Sequence, residues 1–68
     1  MAHLYDLSDV IGLQVDLPEH GLVKGQKGVV LMTFSEPSTA YEVEFVADDG
    51  STVTEMALRP DQIEPWKD

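Results

Sequence analysis

Apolar and polar residues alternate along much of this chain with a period of two, the spacing of strands and not of helices. The plainest case is Tyr41-Glu42-Val43-Glu44-Phe45, with three apolar side chains on one face and two carboxylates on the other. That pattern predicts a strand buried on one side and solvated on the other. Asp9 to Leu17 alternates in its second half, with Leu13, Val15 and Leu17 opposed to Gln14 and Asp16. Val29 to Phe34 is a run of β-forming residues between Gly28 and the Ser35-Glu36-Pro37-Ser38 turn. From Ser51 to Leu58, Thr52, Thr54, Met56 and Leu58 share one face and Val53, Glu55 and Ala57 the other.

The connections carry their own signals. Pro18-Glu19-His20-Gly21 stops the first strand, because proline cannot donate to a ladder and glycine admits a positive φ. A loop runs from Leu22 to Gly28. Asp48-Asp49-Gly50 predicts a hairpin turn of type I′ or one with a G1 bulge. Arg59 to Ile63 predicts a single 3₁₀ or short helical turn, and Glu64-Pro65-Trp66 a short closing strand. No long helical period occurs. The reading is therefore all-β: a small barrel or open roll of four to five short antiparallel strands, with closure preferred because it removes free edges. One domain spans 1–68 with its core in about 5–66, since a chain of this length holds one core. Leu13, Val15, Val30, Val43, Phe45 and Leu58 are the expected core, with Tyr41 on the same face.

Composition changes this picture in two ways. There is no cysteine, so apolar packing must hold the fold without disulfides. Thirteen acidic side chains against four basic ones give a net charge of -9. Such a field opposes binding to nucleic acid and to anionic membranes, both of which call for clustered lysine and arginine, and it favours a basic protein partner. Solubility alone is the competing explanation for the charge. No apolar run approaches the length of a membrane span, and the N-terminus lacks a cationic region followed by a hydrophobic segment, so the expectation is a cytoplasmic, unprocessed protein.

The order of motifs, Pro-Glu-His-Gly-Leu loop, Lys24-Gly25-Gln26-Lys27-Gly28-Val29-Val30, Tyr41-Glu42-Val43-Glu44-Phe45, Asp48-Asp49-Gly50 and Leu58-Arg59-Pro60-Asp61-Gln62-Ile63, resembles an uncharacterised family of very small bacterial proteins. That family is known as a domain of unknown function with SH3-like barrels. The resemblance runs from about Tyr5 to Trp66 and implies an SH3-like fold. Some members look like small partners encoded beside toxin-like proteins, so it also implies an antitoxin- or immunity-like role. Gly25 to Val30 is similar as well to the strand start of RNA-binding SH3-like modules, whose flanks are basic; here Lys24 and Lys27 stand almost alone. Leu4-Tyr5-Asp6 is faintly similar to the opening of signalling SH3 domains, but the tryptophans of their proline-binding groove are missing.

No constellation for catalysis, cofactor binding or metal binding emerges. His3, His20 and Glu19 lack ligand spacing, and two solvated imidazoles in a tail and a turn account for them. Glu42 and Glu44 could hold a cation or act as acid and base, but a solvated strand face demands such residues anyway. Small barrels fill their interiors with side chains and leave no deep pocket. The chain is accordingly read as a non-enzymatic, acidic protein-binding module, with Glu42, Glu44, Asp48, Asp49 and Glu55 as its electrostatic face. Trp66 either caps one end of the barrel or anchors an interface, and Leu22-Val23 either tuck in or form a patch beside the lysines. The alternatives are an accessory subunit or homo-oligomer, and a nucleic-acid-binding SH3-like module, which the charge opposes.

Overall fold

The computed structural model describes residues 5–67. Five strands form in chain order: β1 (Val10–Leu13), β2 (Lys27–Phe34), β3 (Ala40–Val46), β4 (Thr52–Leu58) and β5 (Ile63–Pro65). Single 3₁₀ turns stand at Pro18–His20 and Pro60–Gln62. All strands belong to one antiparallel sheet in the order β4-β3-β2-β1-β5. The domain is all-β.

The inner face of the sheet makes the core. Ile11, Leu13, Val30, Tyr41, Val43, Phe45, Leu58 and Ile63 are almost fully buried, joined by Leu22 from the loop and Tyr5 from the N-terminal approach. Flat strands at ~4.8 Å spacing would hold the two outermost strands about 19 Å apart. Leu58 of β4 and Ile63 of β5 nevertheless lie in one apolar cluster. The sheet is therefore curled around its contents, and the turn at Pro60–Gln62 bridges its two rims. Gln62 steadies that bridge, its side-chain oxygen accepting the Arg59 N–H at 2.8 Å. Hydrogen bonding does not run round the ring: among the described residues β4 pairs with β3 alone and β5 with β1 alone. Closure here is by side-chain packing without a continuous ladder, an arrangement between the small barrel and the open roll that the strand pattern predicts.

Two bulges redirect side chains. Between Val30 and Met32 the register against β3 slips by one residue, so both Leu31 and Met32 face solvent. Between Phe45 and Val46 the register against β4 slips past Val53. Directly opposed residues share a face, so Thr52, opposite the outward Val46, leaves the face that Thr54 and Met56 occupy. The expectation that Thr52 belonged to that inner row is corrected by this bulge.

The first strand is shorter than its alternation predicts. It ends at Leu13 because Gln14 turns its N–H to the Gln62 carbonyl (2.8 Å) and its side-chain amide to the Ile63 carbonyl (2.6 Å). Beyond it, Leu17 and Leu22 exchange backbone hydrogen bonds of 3.0 and 3.1 Å around the 3₁₀ turn. Val15 and Leu17 consequently pack against the rim of the core, half-buried, and Val15 is not the core residue expected. The Asp-Gly hairpin forms as anticipated. Gly50 has φ +88°, a left-handed backbone that a β-branched residue resists, and its N–H donates to the Ala47 carbonyl at 2.9 Å.

Gly28 and Gly12 lie on opposite faces and differ in what surrounds them. A Cβ on Gly28 would stand 2.6 Å from Val43 Cγ1 and 3.0 Å from Phe45 Cδ1, inside the core. A Cβ on Gly12 would meet Trp66 Cε3 at 3.5 Å, an ordinary contact. Gly28→Ala should therefore lower stability by about 1–3 kcal/mol through overpacking, whereas Gly12→Ala should cost much less. Urea denaturation of the two variants side by side checks this; equal losses would contradict the packing described.

Candidate partner-binding surface

The alternation of β3 points Tyr41, Val43 and Phe45 inward and Glu42 and Glu44 outward. Strand β4 comes back beside it with Glu55 directly opposite Glu44 and Ala57 opposite Glu42. Three carboxylates are thus gathered on the outer face of two neighbouring strands, as the sequence suggested. Like charges placed directly across a strand pair repel. The Glu42 carboxyl registers the crowding: burial first, then a hydrogen bond with Glu55 and the charge of Glu55, hold it above its ordinary range. Glu44 is steadied instead by Thr52, whose hydroxyl donates to Oε2 at 2.6 Å. Among the described residues the ion pair that forms is Arg59–Asp61 at 3.1 Å, on the exposed turn before β5 and outside this trio.

The same outer face carries apolar side chains on β2. Val29 stands opposite Glu44 and Met32 opposite Glu42. Met32 is 53% exposed, Leu31 41% and Phe34 38%, so an apolar strip runs beside the carboxylates. This strip was missed in the sequence because Val29 to Phe34 is a nearly continuous apolar run that does not mark which side chains face out, and the bulge that turns Leu31 and Met32 out together leaves no trace in it.

Asp48 and Asp49 do not join the trio. They occupy the tip of the β3–β4 hairpin, where Asp49 is taken up by the turn itself. Its carboxylate accepts from the Ser51 hydroxyl at 2.6 Å and from the Ser51 N–H at 2.9 Å. Those bonds, the hydroxyl's first, hold its pKa below the ordinary aspartate value.

Trp66 neither caps the core nor stands free. It lies half-buried on the outer face over Gly12, its backbone N–H donating to the Val10 carbonyl at 3.2 Å, with Lys27 Nζ 5.6 Å from the ring centroid. That separation is within cation–π range. Trp66, Lys24, Lys27, Asp48 and Val23 line an open groove of about 500 Å³. Leu22 and Val23 part company at its margin: Leu22 is fully buried and Val23 is 61% exposed. His20 is exposed on the first 3₁₀ turn, and His3 and Leu4 lie outside the described residues. Among the described residues no three carboxylate or imidazole groups gather in a metal-holding arrangement, and no helix is long and apolar enough to cross a membrane.

These features define a small antiparallel β domain with a packed inner face and an outer face that joins carboxylates to exposed apolar side chains. The chain belongs to the family described as Domain of unknown function (DUF4926), whose model matches residues 7–65. No curated protein and no solved structure matches it.

The pH dependence of Glu42 follows from its environment. A carboxyl raised in the folded state contributes stability while protonated. That contribution is full below the unfolded-state value of about 4.3 and is lost as pH rises through the higher folded-state value. Glu42→Gln keeps the uncharged shape at every pH. The variant should match wild type below about pH 4 and exceed it in stability at neutral pH. Thermal melts at the two pH values test the assignment, which a gain of equal size at both would overturn.

Proposed function

We propose that this chain is a non-catalytic protein-binding module whose outer β3–β4 face engages a basic protein. The observation that carries the proposal is the Glu42, Glu44 and Glu55 trio: Glu44 directly opposite Glu55, Glu42 hydrogen-bonded to Glu55, and among the described residues no ion pair to any of the three, beside exposed Leu31 and Met32. A cationic partner would relieve the repulsion, and the apolar strip would supply area to bury. The net charge of -9 adds long-range attraction for such a partner. In its specific form the proposal is an antitoxin- or immunity-like role, a small acidic protein neutralising a basic one. An SH3-like barrel is the fold proposed within the all-β class, supported by the curled sheet and by the 3₁₀ turn that precedes β5.

An accessory subunit or homo-oligomer is the second reading, favoured by the open rim of β4. Nucleic-acid binding would have to use Lys24 and Lys27 beside Trp66, where thirteen acidic residues on the chain oppose it.

The experiment is a triple substitution, Glu42→Gln, Glu44→Gln and Glu55→Gln. Folding should persist, because all three side chains are on the solvent side of the sheet. Association with a basic partner recovered by pull-down should slow on the order of tenfold at low ionic strength, and the difference should shrink as salt is raised. Stopped-flow binding measures this. An unchanged association rate at low salt would reduce the acidic face to a solubilising one.

A further inference from the structure

We infer that the basic partner is held as an added strand along β4, in the form of an extended segment that alternates cationic and apolar residues. This rests on the acidic-face reading above and specifies how that face is reached. The two rims of the sheet differ. β5 is three residues long and ends in Pro65, the short and proline-bearing form in which edges are protected. β4 is seven residues long and contains neither proline nor lysine. Its bulge is confined to the hairpin end, and the register against β3 is regular from Thr54 opposite Phe45 to Leu58 opposite Tyr41. Among the described residues nothing pairs with its far side. A strand in that condition leaves alternate N–H and C=O groups free to receive another chain.

The side chains on β4 state what that chain should carry. On the outer face Glu55 stands beside Glu44, so a residue directly across from Glu55 on an added strand completes a row whose first two members are both anionic. A lysine or arginine fits that position. On the inner face Met56 and Thr54 are half-buried, and Leu58 beyond them is buried. An apolar side chain one residue along the added strand would cover Met56 and extend the core. The pattern required is period-two, cation outward and apolar inward. A basic segment is favoured over a second copy of this chain as occupant of that rim, because each copy brings a charge of -9.

The probe is a blocked peptide alternating lysine and valine over the length of β4, compared with its glutamate–valine counterpart and with two backbone N-methylated forms, one methylated on the lysines and the other on the valines. The lysine–valine peptide should bind and its glutamate counterpart should not. In an added strand only every second residue donates to the neighbouring chain, so methylating one set should abolish binding and methylating the other should leave it intact. Amide resonances of Thr52 to Leu58 should shift more than those of β2. In Glu55→Lys the preference for lysine over glutamate should fall by roughly fivefold, the upper end of the range for one cross-strand charge pair. Failure of the lysine–valine peptide to bind, or equal binding of both methylated forms, would overturn strand addition. So would a concentration-dependent dimer in sedimentation that the peptide displaces, which would assign the rim to a second copy. The acidic-face reading stands or falls separately, on the association rate of the triple glutamine variant with its recovered partner.

Discussion

The close approach of β2 to β3 at Gly28 is the contact on which this fold depends. Gly28 pairs on one side with Ile11 of β1 and on the other with Phe45 of β3, and the space its missing side chain leaves is filled by Val43 and Phe45. The eight-residue β2 thereby serves both halves of the sheet, and the sheet can bend tightly enough for Leu58 and Ile63 to enclose the same interior. A chain with no disulfide and a single small core depends on that curl to bury enough apolar surface.

Because the inner face alone makes the core, the outer face is free to carry costs that folding does not reward. Crowding Glu44 against Glu55 and lifting the Glu42 carboxyl are such costs. They are tolerated because these side chains lie on the outer face and not in the core, with Glu55 exposed on the edge strand. Strand β3 shows the division residue by residue: Tyr41, Val43 and Phe45 hold the protein together, while Glu42 and Glu44 between them lie on the opposite face.

The strands were legible wherever their two faces differ in polarity, which is why β3, its hairpin and the placement of Glu42, Glu44 and Glu55 on one face could be read directly. Ile11 was less visible because Gly12 beside it gives no polar signal, although Ile11 and Leu13 are the inward residues of β1. Val15 and Leu17 keep the alternation while the backbone has already turned to Gln62 and Leu22; period two records which side faces the core, not whether a ladder continues. The bulges at Leu31 and Val53 have no local signature, since each depends on how two strands lengthen relative to one another. They decide the apolar strip and the Thr52 hydrogen bond, so that part of the surface came into view only with the register.

The seat of Trp66 has a practical meaning of its own. It is the single tryptophan of the chain, laid over Gly12 and beside an ammonium group, and joined to β1 through the Val10 carbonyl. Its indole emission is therefore a built-in optical gauge of whether the last strand is seated. Local fraying of that rim can be followed separately from unfolding of the interior, which the buried tyrosine pair Tyr5 and Tyr41, 5.2 Å apart and edge to face, reports from the other side of the sheet.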